Sequence, residues 1–323
     1  MRKSTKIWLI VAAVLTSLGL IISATALAIS GFDFTVLSQY QNKTVTFEID
    51  EELENITINA NTEDIVFLPS DSEKTKVVFC VREDYTPAAS VKDSTLSISV
   101  NTEKLKWYQY ISMFSFYENK ITVYLPKTAY TSLTINSDTG DIEIPKAFKF
   151  KSVSINLSTG DVNCSASAEN SIAIKVSTGD VKLKDFSANT LKVTTSTGDI
   201  EIANATVAGN IDLTVSTGKT TLSGVTAKNL TSNGSTGDLN LKNVILSGKL
   251  SIKRSTGDTE FNRCDAAEIK IVTDTGDVSG SLRSEKIFFV STDTGNVDVP
   301  KTMSGGKCEI TTDTGNVNIT IAK

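Results

Sequence analysis

From residue 131 onward, polar and apolar residues alternate in two short runs that meet at Thr-Gly, and the unit then begins again. The glycines of these turns are Gly140, Gly160, Gly179, Gly198, Gly218, Gly237, Gly257, Gly276, Gly295 and Gly315, at intervals of 19 or 20 residues. Two residues after the glycine the column reads Ile142, Val162, Val181, Ile200, Thr220, Leu239, Thr259, Val278, Val297 and Val317. Seven before it, the column reads Leu133, Val153, Ile172, Leu191, Ile211, Leu230, Leu250, Ile269, Phe288 and Cys308. Period-two alternation on both sides of a glycine turn specifies two short strands per unit. A unit this short cannot bury its apolar side alone. Units must therefore stack, each strand pairing in parallel with its equivalent one turn along. The predicted fold is all-β: a single-stranded parallel β-helix, or β-solenoid, of 19–20-residue coils over 131–323. A right-handed wind follows from the general hand of parallel connections. A barrel of hairpins would need a turn at each strand junction, whereas here the same turn recurs once per two strands.

The turn itself carries a sequence that invites a different reading. Asp-Thr-Gly, the tripeptide that bears the catalytic carboxylate of aspartic proteases, occurs at Asp138, Asp274, Asp293 and Asp313. In the other six copies Ser replaces that Asp, and the residue after the glycine is Asp or Asn in nine of ten, Lys219 being the exception. A catalytic pair must converge in a cleft, whereas stacked turns form a ladder along one edge. Gly supplies positive φ, and Ser, Asp or Asn beside it bond their own backbone. These glycines are thus structural turn residues, and no residue is assigned to catalysis, metal binding or a cofactor. A valine at Gly198 is expected to destabilise the body, with alanine milder. Asp141, Asp161, Asp180 and Asp199 are expected to stand in line. Lys219, Asn296 and Asn316 then spread their charge, and divalent cations bind weakly without preference for calcium.

The N-terminus follows another rule. After Arg2, Lys3 and Lys6, residues 7–29 form an uncharged apolar run of 23 residues, long enough as a helix to span a hydrocarbon core of about 30 Å. Basic residues before the run and Asp33 after it set an N-in, C-out orientation, with the body outside the cytoplasm. Ala26-Leu27-Ala28 also fits the cleavage site of a signal peptide, but the run exceeds a usual signal core, which favours a retained anchor. No Cys follows the run to carry a lipid. The chain divides into a cytoplasmic stub 1–6, the segment 7–29, a linker 30–43, irregular β-coils 44–130 and the regular solenoid 131–323. In the irregular part, "NTEDIVFLP" at 61–69 resembles "DTGDIEIP" at 138–145. An insertion at 105–117 breaks the pattern with Trp107, Tyr108, Tyr110, Phe114, Phe116 and Tyr117. It either covers a sheet edge or offers an aromatic patch to a partner or the membrane surface.

Composition narrows the function. The chain of 323 residues has no histidine and a net charge of −5. That removes His-dependent nucleophilic and metal sites and leaves no basic stripe for nucleic acid. Cys164, Cys264 and Cys308 fall in apolar columns and Cys80 in a strand-like run, so all four are expected as free buried thiols.

Taken together, a membrane segment followed by "ISGFDF", β-segments ending in Leu-Pro, a Trp-containing insertion and tandem [Ser/Asp]-Thr-Gly-[Asp/Asn] turns resemble a bacterial β-strand-repeat family of unknown function that goes by the label "putative adhesin". Some members are similar to the membrane-anchored protein of a cell-envelope-stress operon in Gram-positive bacteria. The resemblance implies a right-handed β-helix and no catalytic residues. The expectation is a non-catalytic, membrane-anchored extracytoplasmic solenoid that binds an envelope or surface ligand. Two alternatives are a polysaccharide-acting β-helix enzyme and a calcium-dependent repeat protein. The final coil ends without a visible cap, so end-to-end self-association is expected as well.

Overall fold

The computed structural model describes residues 3–29, 42–102 and 119–322. The predicted aromatic insertion at 105–117, with Trp107, Tyr108, Tyr110, Phe114, Phe116 and Tyr117, and most of the predicted linker lie outside the described residues.

Residues Lys3–Ile29 form one helix, long and apolar enough over Trp8–Thr25 to cross a membrane, and no part of that window is buried against protein. Four hydroxyls within the apolar window are satisfied inside the helix. Thr16, Ser17, Ser23 and Thr25 each donate to the carbonyl four residues earlier, at 2.7–2.9 Å. A polar group bonded in this way can sit in a hydrocarbon environment without an orphaned donor.

The body is a β-solenoid. Strand Lys149–Thr159, for example, pairs in parallel with Ala129–Thr139 on one side and Ser167–Thr178 on the other, with Leu133, Val153 and Ile172 in one row. Each coil turns several side chains inward; in the Gly179 coil these are Ile172, Ile174, Val176, Val181, Leu183, Phe186 and Ala188, all buried. The rows run the length of the array, so each apolar side chain packs on its equivalents above and below. The seam of the core is therefore continuous.

At the ends the stacking departs from the predicted succession of neighbours. The Gly276 coil does not stack on the Gly295 coil. Strand Glu268–Thr275 pairs with Gly306–Thr314, which in turn pairs with Lys286–Thr294. The last coil of the chain is thus inserted beneath the one before it. The N-terminal end does the same in reverse. Strand Asn55–Ala60 lies between Ala129–Thr139 and Thr95–Thr102, so the first coil is the inner one and the later segment lies outside. Beyond that layer the pairing becomes antiparallel. Thr75–Arg82 joins Lys120–Leu125, Asn42–Ile49 joins Thr75–Arg82, and Tyr85–Lys92 forms a hairpin with Thr95–Thr102. Phe47 and Phe79 meet edge to face across this cap, with ring centroids 5.6 Å apart.

The four cysteines are free thiols. Cys164, Cys264 and Cys308 are buried, and burial pushes their thiols up, Cys164 to about 11 and Cys308 to about 12. Cys80 differs from expectation in being only half-buried. It lies on Thr75–Arg82, a strand of the antiparallel cap and not of the coil interior.

Candidate interaction surface

The ten glycines come together in a single line along one edge of the solenoid. Their φ values run from 114° at Gly140 to 158° at Gly315, a conformation that L side chains rarely adopt. The spacing of the coils adds a second constraint. A Cβ placed on Gly198 would stand 2.0 Å from the carbonyl oxygen of Gly179, and one on Gly179 would stand 1.9 Å from that of Gly160. The obstacle is backbone of the neighbouring coil, which cannot step aside. Alanine at Gly198 is therefore not the mild change anticipated from φ alone.

The acidic column beside these glycines is a hydrogen-bonded ladder. The Asp161 amide donates to Oδ1 of Asp141, that of Asp180 to Asp161, and that of Asp199 to Asp180, each at 2.8 Å. The ladder begins one coil earlier than the regular repeat, where the Asp141 amide donates to Oδ1 of Asp64 at 2.8 Å. In that first coil Glu63 stands in the place of the glycine. Its side chain folds inward, and Oε2 accepts from the amides of Asn61 and Thr62 at 2.9 and 3.1 Å. The Lys219 amide donates to Asp199 at 2.7 Å, but Lys219 offers no acceptor to the next coil. The ladder resumes at Asp238 and continues through Asp258, Asp277 and Asn316 to Asn296. Asn serves as well as Asp here because an amide oxygen accepts the same bond without charge. One carboxylate oxygen of each Asp is thereby committed to the coil above.

A second corner lies six residues after the glycine, and the sequence reading passed over it. Asp185, Asn204, Gly224, Asn243 and Arg263 occupy equivalent places in successive coils, all with φ between 50° and 63°. Four of the five are residue types that tolerate the left-handed region. That was the available signal, diluted because the column is not uniform. Asn204 donates to Oδ1 of Asp185 at 3.1 Å, so side chains tie this corner together too.

Inside the solenoid, Arg254 interrupts an otherwise small or apolar column. It is 1% exposed, and its guanidinium occupies the space above Gly234, where a Cβ would lie 1.9 Å from Nη1. Its one hydrogen bond goes to Ser232 Oγ at 3.0 Å, leaving Nε and Nη1 without a partner. Burial pulls its pKa down, opposed by the charge of Asp238.

On the flank next to the turn edge, polar side chains line a shallow groove of about 340 Å³, bounded by Asn59, Asn136, Asp138, Asn156, Ser158, Lys175 and Ser177 among others. Its floor is an amide ladder. Asn136 donates to Asn59 at 3.1 Å and Asn156 to Asn136 at 3.0 Å. Stacked coils hold these amides in register, with the Lys175 ammonium at the end of the row. Amide, hydroxyl and ammonium groups on a rigid flat surface suit a hydroxyl-rich or anionic polymer. Among the described residues, no three His, Cys, Asp or Glu side chains lie together in a way that could hold a metal ion.

Comparison with known proteins matches the family model described as Toastrack DUF4097 at residues 53–214 and 209–323. A putative adhesin of Parabacteroides distasonis has a similar structure, with a TM-score of 0.50 at 12% identity over 87% of this chain and 98% of that one. At that identity the likeness concerns the fold alone. A putative adhesin of Bacteroides fragilis aligns with a TM-score of 0.41 at 14% identity, over 86% of this chain and 97% of that one. A putative lipid binding protein of P. distasonis gives 0.42 at 15%, with the same coverage. No curated protein matches the chain.

Proposed function

Given that the chain belongs to the Toastrack DUF4097 family, we propose that it is a non-catalytic, membrane-anchored surface protein whose solenoid flank binds a cell-envelope or surface polymer. The observation that carries this reading is the polar groove over the Asn59–Asn136–Asn156 ladder. It is a preformed row of donors and acceptors with the repeat of the coils themselves. The carboxylates of the turn edge support a non-catalytic role, since they stand in file and each bonds a backbone amide, where acid–base chemistry needs two that converge. The helix Lys3–Ile29 supplies the anchor, and Arg2, Lys3 and Lys6 on its N-terminal side favour a body outside the cytoplasm. Envelope-stress association and self-association through the solenoid end belong to the same reading.

Three measurements test it. Mass spectrometry of the membrane-extracted chain should find residues 1–29 retained, and in a Cys80→Ser background a membrane-impermeant thiol reagent should label Ser158→Cys in intact cells. Binding of the full chain in detergent to insoluble bacterial cell-wall polysaccharide should weaken about tenfold in Asn136→Ala with Asn156→Ala, if each lost polar contact contributes about 0.5–1 kcal/mol. Unchanged binding would remove the groove from the proposal.

A further inference from the structure

The two ends of the solenoid are finished differently. At the N-terminal end, the outer strands Thr95–Thr102 and Lys120–Leu125 are covered by the antiparallel strands Tyr85–Lys92 and Thr75–Arg82. The free edges beyond carry Pro87 and Lys92 on one strand and Lys43 and Glu48 on another, residue types that discourage further pairing. At the C-terminal end, among the described residues, strand Lys286–Thr294 pairs with Gly306–Thr314 alone, and Val297–Asp298 with Val317–Ile321 alone. This nine-residue edge, KIFFVSTDT, contains no proline, and its lysine is buried in an ion pair with Asp265 at 2.7 Å.

The same end exposes apolar side chains. Val297 is 46% exposed although its column mates Val278 and Val317 are at 0%, and Phe289, on the outer side of the edge strand, is 55% exposed. Ile287 and Met303 are exposed beside them. Thr302 Oγ1 donates to the Lys286 carbonyl at the start of this edge, and the apolar stretch that follows is a pairing surface.

We propose that this edge is covered by a second copy of the chain, Lys286–Thr294 pairing antiparallel with itself across a two-fold axis. The inference rests on the self-association part of the functional reading and specifies its geometry as tail to tail. The N-terminal end has no open parallel edge to receive the C-terminal one, so a head-to-tail filament has no socket, and an isologous contact closes as a dimer. Charge favours the antiparallel arrangement. With Val290 opposite Val290, each Asp293 lies against Ile287 of the mate, and the two Asp293 stand about 20 Å apart. Stacking two like ends in parallel would instead place acid over acid.

The full chain in detergent should sediment as a dimer at about 10 μM. Phe289→Arg with Val297→Asp should convert it to a monomer that keeps the β-sheet circular dichroism of the folded solenoid, with a melting temperature that no longer depends on protein concentration. Met303→Glu, on a side chain 97% exposed, should weaken the dimer and keeps the test independent of folding. In a Cys80→Ser background, a spin label on Ser291→Cys should report an intermolecular distance below about 25 Å, and one on Ser158→Cys should report none in that range. A monomeric wild type overturns the proposal. So does a dimer that survives both sets of substitutions, or one lost only on changing the N-terminal helix. These readouts do not depend on polymer binding, so this proposal and the groove can fail separately.

Discussion

In the five coils from Gly179 to Gly257 the chain turns two corners of positive φ that solve the same problem under different constraints. At the Thr-Gly corner the neighbouring carbonyl occupies the space of a Cβ, 1.9 to 2.3 Å away for Gly160, Gly179, Gly198 and Gly218. At the second corner φ is also positive, yet Asp185, Asn204, Asn243 and Arg263 all fit there. The first corner is glycine in all ten regular coils because contact between coils leaves no room for a side chain there. The second varies because only the intrinsic preference of the backbone is at stake. A positive φ is thus the weaker of two reasons for glycine, and the close approach of stacked coils is the stronger.

The sharpest way to break this comparison is at Gly198. Gly198→Ala is expected to lower stability by about 3 kcal/mol or more, combining backbone strain with a steric conflict that cannot relax. Thermal or denaturant unfolding measures it. A loss under about 1 kcal/mol, smaller than positive φ alone is expected to cause, would show that the coils can separate locally. Next in size is the ladder that braces this corner. Asp180→Ala leaves the Asp199 amide without its acceptor and should cost about 0.5–1.5 kcal/mol. Asp180→Asn retains the acceptor and should be close to neutral. If the two substitutions were equally damaging, the negative charge rather than the hydrogen bond would be what matters.

The second corner should respond in the opposite direction. Arg263 holds φ 54° with a residue type that has no special liking for it, so Arg263→Gly is expected to stabilise by about 0.5–1 kcal/mol. The smallest effect concerns the gap in the ladder. Lys219→Asn supplies an acceptor for the Asp238 amide and should add about 0.5 kcal/mol. A destabilisation there would mean that Lys219 relieves repulsion between the acidic columns on either side of it.

Much of this architecture is legible in the residues. The column of Thr-Gly and the alternating rows around it define the coil, its length and its core, because every unit must repeat one set of contacts. The neighbour order at the ends is not legible, for the same reason. A Gly295 coil and a Gly315 coil have the same grammar, and the interval between glycines stays at 19 or 20 residues through the exchange. Arg254 is likewise hidden. A charged residue in an apolar column reads as an error in the pattern until Gly234, its neighbour one coil before, is seen to make the room. The amide ladder of Asn59, Asn136 and Asn156 requires knowing that residues 55–60 lie against 129–139 and not against the segment that follows them.

The insertion of the last coil beneath its predecessor bears on the order in which the chain can fold. A chain synthesised from its N-terminus delivers residues 286–298 before 306–321. At that moment the open Gly276 coil is the only parallel edge available to them, and their side chains fit it by the same columns. The early partner is therefore expected to be the wrong one, to be displaced when the final strands arrive and claim the inner place. Such an exchange breaks one parallel ladder before two can form, and pairing between strands distant in sequence is intrinsically slow. Completion of the C-terminal end should then lag behind the rest of the solenoid. Hydrogen exchange during refolding should show Lys286–Thr294 among the last strands to gain protection, and the edge it presents to a second molecule would mature last of all.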